Sequence, residues 1–238
     1  MRQNARPKGS STTCITDAVP TTPRYEHLAV QRAANRGDRN TMPRVKQPPL
    51  RTNRIELAPL ADQHLELEIE LDSDPEVLRY LNPGARTRAE VHEAHRHRIA
   101  AAGTVPGLGF WVGFVDGAFV GWWILQPPEG PDQPYGSDQA DLGYRILRRH
   151  WRRGFASEGS RELMRYGFID IGLRRIFAQT LAVNIPSQAV MTSLGMHYVR
   201  GFPADYPQGI PGVEHGEVEY AITRDEWLNS GGPTAKRT

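Results

Sequence analysis

Cysteine is nearly absent from this sequence of 238 residues, since Cys14 is the only one. A single thiol cannot form an internal disulfide or a cysteine-rich metal site. Its place near the N-terminus also argues against a cysteine nucleophile. The sequence therefore fits a reducing compartment, and we expect a cytoplasmic protein.

Long apolar runs are also lacking. A helix that spans a bilayer needs roughly 18–20 consecutive apolar residues, and the longest candidate, residues 110–125, is broken by Gly113, Asp116, Gly117 and Gly121. No apolar segment typical of a secretory signal occurs near the N-terminus. These absences predict a globular protein without a membrane partner.

Metal-binding patterns are missing as well. His92, His95 and His97 lie close together, but no two of them have the four-residue spacing of a helical metal-binding pair. We therefore predict that these histidines lie on a solvated helix face and that the protein uses no metal.

Acidic residues are scarce in the first part of the chain. Residues 1–54 contain eleven Lys or Arg and three acids, a net charge of +8, whereas the remainder contains eighteen and twenty-four, a net charge of −6. The basic character thus belongs to the N-terminal segment. A mildly acidic body disfavours nucleic acid as a partner and suits a cationic amine.

The two ends of the chain are predicted to be tails. Residues 1–50 are rich in Arg, Pro and Thr, without a sustained hydrophobic period, which indicates a disordered basic segment. Two alternatives are a mitochondrial transit peptide and a translation start at Met42. One folded domain is expected at residues 51–228, followed by a flexible tail at residues 229–238.

Between the tails, the hydrophobic periodicity predicts alternating strands and helices. A capping box at Thr87 and Glu90 starts one helix, and the pair Asp116 and Gly117 joins two strands in a hairpin. The predicted elements are a strand at 54–60, helices at 65–71, 74–81 and 87–102, strands at 110–115, 119–125 and 141–147, a helix at 155–171, a strand at 175–183, a helix at 186–194, and strands at 196–202 and 217–223. A strand–helix–strand unit flanked by hairpins predicts an α/β fold with a mixed, mostly antiparallel sheet and helices on both faces.

The junction between the strand at 141–147 and the helix at 155–171 has the features of an anion site. The first turn of a helix offers unpaired N–H groups and a positive dipole end. Gly154 allows close backbone approach, and Ala156 keeps the helix start narrow. Four basic side chains add positive charge: Arg148, Arg149, Arg152 and Arg153. This combination is typical of a pyrophosphate-binding loop.

Two motifs in this region carry a resemblance to a known family. Residues 141–147 (DLGYRIL) and 154–158 (GFASE) are similar to motif A of the GNAT acetyltransferases, and residues 184–187 (NIPS) with 194–196 (LGM) are similar to motif B. The pattern most resembles the RimJ/RimL-like branch and covers residues 51 to about 227. Trp151 takes the family's Gln/Arg position, and Met191 stands where many members have a tyrosine acid. Arg152 replaces the usual Gly, and we expect this replacement to alter the path of the loop.

This resemblance implies a GNAT fold with a splayed central parallel strand pair, acetyl-CoA as co-substrate, and a monomer or homodimer. It also implies roles for specific residues. The implied cofactor-binding residues are Ile146, Leu147, Arg152, Arg153, Gly154, Phe155, Ala156, Asn184 and Ser187. For Asn184, an ordinary helix N-cap is an equally valid interpretation, and for Ser187 so is stabilisation of the helix start.

Amine acylation requires a neutral amine, and a carboxylate can take its proton. Asp141 matches the acid at the start of this strand in the family, and strand alternation places it on one face with Gly143 and Arg145. We expect N-acetyl transfer by direct attack in a ternary complex, to a small-molecule amine or a peptide N-terminus. A non-catalytic acyl-CoA-binding module is the alternative, whereas a dinucleotide-binding protein is disfavoured because no G-x-G-x-x-G follows a strand.

Overall fold

The computed structural model describes residues 47–102, 105–128, 138–206 and 209–231. The N-terminal tail prediction up to residue 46 and the C-terminal tail prediction from residue 232 lie outside these ranges. Within the described ranges, no helix is long and apolar enough to cross a bilayer.

An eight-stranded sheet runs through the domain in the order β1-β2-β3-β4-β5-β6-β8-β7. The strands are β1 (Leu50–Arg51), β2 (Glu56–Pro59), β3 (Gly109–Val115), β4 (Ala118–Gln126), β5 (Gln139–Ile146), β6 (Arg175–Leu181), β7 (His197–Phe202) and β8 (Glu217–Thr223). Only β5 and β6 pair in parallel, while all other neighbours are antiparallel. The prediction of a mixed, mostly antiparallel sheet with one parallel pair is confirmed.

Six helices cover the two faces of this sheet in the described part of the chain. They are α1 (Leu65–Asp72), α2 (Pro75–Leu78), α3 (Arg88–Ala101), α4 (Phe155–Arg165), α5 (Ile185–Ser193) and α6 (Arg224–Asn229). Thr87 caps α3 together with Glu90, as the sequence predicts. The same type of capping box starts α6 at Thr223 and Glu226, where the sequence analysis predicts no helix.

The helix predicted at 155–171 changes its geometry near its end. After Arg165 the chain continues as a π-helical segment, Tyr166–Ile171, and stops at Gly172, whose φ is 83°. Gly167 lies in this wide turn, where a Cβ would stand 3.0 Å from side-chain atoms of Leu125, Leu173 and Ile176. The missing side chain therefore lets the wide turn lie against the core.

The β3–β4 hairpin places aromatic side chains on both faces of the sheet. Asp116 and Gly117 have φ values of 52° and 76°, as a two-residue turn of the predicted kind requires. Trp123 belongs to the core under α4, where its indole N–H donates to the carbonyl of Ala156 at 3.2 Å. Trp122 belongs to the core on the other face, because neighbouring residues of a strand point to opposite faces of the sheet.

The face that carries Trp122 also buries a group of charged side chains. Its members are less than 10 % exposed: Glu68, Asp72, Arg86, His95, Arg98 and Arg145. We call them the buried charge cluster. Asp72 accepts a hydrogen bond from Arg145 and lies 3.6 Å from Arg98 and 3.7 Å from Arg86. The cluster thereby ties α1 to both α3 and β5.

The prediction that His95 lies on a solvated helix face is wrong, because its side chain is buried. Its side chain is 3 % exposed and its Nδ1 is hydrogen-bonded to Glu68. His92 is exposed and His97 partly exposed, as a solvated face would require. The packing of α1 against α3 brings an acid to this histidine, and that contact leaves no periodic signal in the sequence.

Removing the charge of Asp72 should destabilise the fold strongly, since breaking a buried ion pair leaves its partners uncompensated. We expect Asp72→Asn to lower the free energy of unfolding by about 3–5 kcal/mol. Although burial opposes it, the arginines Arg145, Arg98 and Arg86 hold the pKa of Asp72 below its usual range. This contribution is therefore present above the unfolded pKa of about 3.9 and is lost as pH falls through the lower folded value.

Glu66→Gln is the matched control. Glu66 lies on the same helix as Asp72, α1, and its exposed side chain pairs with Arg88 of α3. Its thermal unfolding midpoint should stay close to that of the wild type. Equal midpoints for the two variants would contradict a stabilising role of the buried charge cluster.

Candidate active site

Strands β5 and β6 separate soon after they begin to pair. Their parallel pairing consists of Gln139 with Arg175, Ala140 with Ile176 and Asp141 with Phe177. Beyond Asp141, β5 stays paired to β4 and β6 stays paired to β8. A wedge-shaped opening therefore forms in the middle of the sheet.

Main-chain groups of β5 face this opening. The N–H of Leu147 donates to the carbonyl of Val120 at 3.0 Å. Because antiparallel residues alternate between pairing towards and away from the partner strand, the groups of Tyr144 and Ile146 point away from β4. The Ile146 carbonyl accepts the indole N–H of Trp151 at 2.7 Å.

The two predicted cofactor contacts at the end of β5 therefore differ in their surroundings. Ile146 has its main-chain groups on the side of the opening. Leu147 uses its N–H toward Val120, and its carbonyl accepts from the N–H of His150 at 2.8 Å. Both roles remain predictions.

The start of α4 is built as an anion cradle. Gly154 precedes the helix with φ of 80°, and Arg152 has φ of 59°. The first helical bond runs from the N–H of Glu158 to the carbonyl of Gly154. Among the described residues, none accepts a hydrogen bond from the N–H groups of residues 154–157. These donors and the positive end of the helix dipole together favour an anion.

Arg152 occupies the place of the family's usual glycine. Its φ of 59° lies in the left-handed region that glycine adopts without steric cost. An arginine can adopt this conformation as a single residue at a cost of roughly 1–2 kcal/mol. The replacement thus keeps a glycine-like backbone conformation at this point of the loop.

The arginines around the cradle are not equivalent. Arg148 pairs with Asp74 at 2.9 Å, and Arg149 pairs with Glu70 at 2.6 Å. The guanidinium of Arg153 lies 5.0 Å from the centroid of the Phe155 ring. Two of the four predicted positive charges are therefore offset by acids.

Asn184 and Ser187 organise the start of α5. The Asn184 Oδ1 accepts from the N–H of Ser187 at 3.3 Å, which confirms the N-cap interpretation. Its Nδ2 donates to the Thr180 hydroxyl at 2.9 Å. The Ser187 hydroxyl lies 2.9 Å from the Tyr144 hydroxyl, so this pair connects β5 to α5 beside the opening. A direct contact of either residue with a cofactor remains a prediction.

Proton donors near this place are limited. Met191, at the position of the family's tyrosine, is 2 % exposed in the core. Burial raises the pKa of the Tyr144 phenol well above its usual range, although the hydrogen bond with Ser187 opposes this. The phenol therefore stays neutral at physiological pH and is a poor acid toward a thiolate.

Asp141 stands at the vertex of the opening. It is the last residue of β5 that pairs with β6, and it is 7 % exposed. Leu142 and Ile146 pack in the core under α4, while Arg145 contacts Asp72 of α1. Because side chains alternate along a strand, Asp141 lies on the same face of β5 as Arg145, opposite Leu142 and Ile146, as the sequence predicts. The role of Asp141 as the base stays a prediction.

Two acids on the same face were not identified from the sequence. Glu217 and Glu219 of β8 are each 2 % exposed. Through the strand registers they share the face of Asp141, because Phe177 pairs with Asp141, and Leu181 and Gln179 pair with Glu217 and Glu219. The alternation in residues 217–223 could have placed them on one face. In a strand where apolar and charged residues alternate, however, the charged residues are normally predicted to face solvent.

Glu219 is heavily paired. It accepts hydrogen bonds from Arg175 at 2.5 Å, from Gln179 at 3.0 Å and from Arg200 at 2.9 Å. Among the described residues, no group of three His, Cys, Asp or Glu side chains is placed to hold a metal ion. Arg175 and Arg200 offset the charge of Glu219.

Comparison with known proteins places this geometry in context. Residues 54–197 match the family model described as acetyltransferase (GNAT) domain. The "FsC-acetyl coenzyme A-N(2)-transacetylase" of Aspergillus fumigatus is 40% identical over 195 residues, which cover 81% of this chain and 83% of that protein. An uncharacterized N-acetyltransferase of Bacillus subtilis, YnaD, is 32% identical over 39% of this chain and 54% of its own length.

Solved structures with a similar fold include three enzymes. A GNAT-family acetyltransferase from Bacillus anthracis has a TM-score of 0.62 at 23% identity, covering 75% of this chain and 99% of its own. RimL, a ribosomal L7/L12 alpha-N-protein acetyltransferase bound to coenzyme A, has a TM-score of 0.61 at 17% identity, and the match covers 76% of this chain and 98% of RimL. Spermidine N-acetyltransferase from Vibrio cholerae, in complex with CoA and spermine, has a TM-score of 0.60 at 16% identity, and the match covers 75% of this chain and 100% of that enzyme. At these identities the likeness concerns the fold.

A side chain at Gly154 should disturb both the helix start and the cradle. Gly154→Ala forces alanine into a left-handed conformation, which we expect to cost about 1 kcal/mol of stability. Its Cβ would also stand 3.4 Å from Arg54 at the edge of the cradle. Calorimetry should show that the affinity for CoA falls by about tenfold or more.

Gly172→Ala is the control for this prediction. Gly172 ends the π-helical segment with φ of 83° and has no atom within 4 Å of a Cβ position. It should lose similar stability but keep its affinity for CoA. Equal CoA affinities for the two variants would argue against an anion cradle at Gly154.

Proposed function

This chain belongs to the GNAT acetyltransferase family and is an N-acetyltransferase, and we propose that it transfers the acetyl group of acetyl-CoA to a primary amine of a small molecule. The observation that carries the proposal is the shared location of two features. The opening between β5 and β6 and the unpaired N–H groups at residues 154–157 lie at the same end of β5. A long substrate with a pyrophosphate at one end and a thioester at the other suits this arrangement.

The residues present fit acetyl-CoA, the acetyl donor of this family. The N–H groups of residues 154–157 would bind the pyrophosphate, supported by the helix dipole. The main-chain groups of Tyr144 and Ile146 would hydrogen-bond the pantetheine amides. Asn184 and Ser187, at the start of α5, would border its path.

The acids on the open face suit an amine acceptor. Asp141 is the proposed base: its carboxylate takes a proton from the bound ammonium, directly or through water. The neutral amine nitrogen then attacks the thioester carbonyl and releases its extra proton to solvent, the C–S bond breaks, and the acetyl group ends on nitrogen. The thiolate takes a proton from solvent, since Met191 has none and the Tyr144 phenol is a poor acid.

The class of acceptor is inferred from the relative with the highest coverage reported above. Its name specifies acetyl transfer to a nitrogen, N(2), of the acceptor called FsC. At 40% identity over 81% of this chain, a related small-molecule amine is the acceptor we favour over a peptide N-terminus. RimL, which acts on a ribosomal protein, shares only the fold.

A non-catalytic acyl-CoA-binding module is the second candidate. Such a module would still bind acyl-CoA in the cradle and the opening, but it would not need an acid beside them. Asp141, buried at the vertex of the opening, therefore favours the enzyme.

Release of free CoA thiol from acetyl-CoA tests the proposal, using small primary amines and N-terminal peptides as acceptors. We expect release that depends on a small amine. Asp141→Asn should lower kcat by about 100-fold or more, as loss of a general base does. Asp170→Asn, which removes an acid paired with Arg165 outside the site, should leave kcat unchanged.

Glu217→Gln decides between the two acids that the geometry offers as base. If Glu217→Gln abolishes turnover while Asp141→Asn does not, the base is Glu217. Tight CoA binding without release from any acceptor would instead support the binding module.

A further inference from the structure

Arg54 lies in a part of the chain that the family motifs do not include. It sits in the turn between β1 and β2, which is closed by a hydrogen bond from the N–H of Thr52 to the carbonyl of Ile55 at 2.9 Å. The Thr52 hydroxyl accepts from the N–H groups of Ile55 at 2.8 Å and Arg54 at 3.1 Å. The backbone on either side of Arg54 is therefore held in place.

This turn is fastened to the first turn of α4 through Glu158. The Thr52 hydroxyl donates to Glu158 Oε1 at 2.6 Å, and the N–H of Arg54 donates to the same oxygen at 3.0 Å. The Arg54 Nε donates to Glu158 Oε2 at 2.6 Å, and Nη2 lies 2.5 Å from the same oxygen in an ion pair. Both oxygens of one carboxylate thus hold the arginine.

The fastening places the guanidinium at the rim of the anion cradle. Nη2 would lie 3.4 Å from a Cβ on Gly154, and the guanidinium carbon lies 4.7 Å from the centroid of the Phe155 ring. The side chain is 48% exposed. Among the described residues, Nη1 has no hydrogen-bond partner.

The charges explain why an arginine is needed here. Although partial burial opposes it, hydrogen bonds from Thr52 and Arg54 hold the pKa of Glu158 below its usual range. A carboxylate in the first helical turn is favourable for the dipole, but it repels a pyrophosphate bound to the same turn. Arg54 offsets this charge and still presents N–H donors to the cradle.

We propose that Arg54 is a substrate-binding residue whose guanidinium contacts a phosphate group of acyl-CoA at the rim of the cradle. The inference rests on the proposed function, since it assumes that acyl-CoA occupies the cradle. A planar guanidinium held in a fixed orientation is well suited to phosphate oxygens.

Equilibrium binding of CoA, measured by calorimetry at constant ionic strength, tests the contact. We expect Arg54→Ala to weaken CoA binding by about tenfold or more, as loss of a charged hydrogen bond does. Arg54→Met, which keeps an apolar chain on Phe155, should weaken binding equally and provides a second variant if the alanine form unfolds. Arg51→Ala is the matched control, because Arg51 is 78% exposed and pairs with Glu56. The affinity of this variant for CoA should equal that of the wild type.

The double variant Arg54→Ala, Glu158→Gln separates contact from charge compensation. If Arg54 contacts phosphate, the double variant stays at least about tenfold weaker than Glu158→Gln alone. Recovery of wild-type affinity in the double variant would overturn the proposal, since Arg54 would then only offset Glu158. Unchanged affinity in both Arg54→Ala and Arg54→Met would overturn it as well.

Repeating the series with 3′-dephospho-CoA identifies which phosphate is contacted. If Arg54→Ala weakens the binding of 3′-dephospho-CoA as much as it weakens the binding of CoA, Arg54 contacts the pyrophosphate. If the variant binds 3′-dephospho-CoA as tightly as the wild type does, Arg54 contacts the 3′-phosphate. This experiment is independent of turnover. Wild-type protein that binds CoA but acetylates no amine would refute the proposed function alone, whereas active enzyme with an unaffected Arg54→Ala variant would refute only the contact.

Discussion

The site depends on the point at which β5 and β6 stop pairing. A regular parallel pair would consume the main-chain groups of both strands and leave no room between them. Here the pairing of β5 with β6 ends at Asp141 and Phe177, while β5 stays hydrogen-bonded to β4 and β6 stays hydrogen-bonded to β8. The sheet can therefore open at its centre without losing its integrity. The opening exposes main-chain groups on β5 and sets carboxylates on one face of the sheet.

Charge is distributed across this opening in an ordered way. The α4 side offers unpaired N–H groups, a helix dipole and the arginines of the loop, which favour an anion. The other face holds three acids, Asp141, Glu217 and Glu219, of which Glu219 is paired with Arg175 and Arg200. A substrate pair made of an anionic acyl carrier and a cationic amine would meet at the boundary of these two regions. The buried charge cluster around Asp72 connects α1 with α3 and with β5.

Much of this fold could be predicted from the sequence because its signals are local. The capping box at Thr87, the Asp116–Gly117 turn and the glycine at 154 each act within a few residues. The contacts that the sequence did not reveal are non-local. Arg54 and Glu158 are separated by 104 positions, and His95 is buried by an acid from another helix. The strand order, with β8 between β6 and β7, likewise leaves no periodic trace.

The acids of β8 show a limit of a different kind. Their alternation correctly predicts a strand, but it does not tell a solvated face from a buried one that is lined for a substrate. The proposed role of Asp141 depends on the motif resemblance, whereas Gly154 and the helix start by themselves predict the cradle.

A crystal structure of the protein with bound CoA would test the central claim most directly. The account predicts that the pantetheine arm lies between β5 and β6 beyond Asp141 and Phe177, with the pyrophosphate on the N–H groups of residues 154–157. CoA bound elsewhere, with the opening empty, would contradict it.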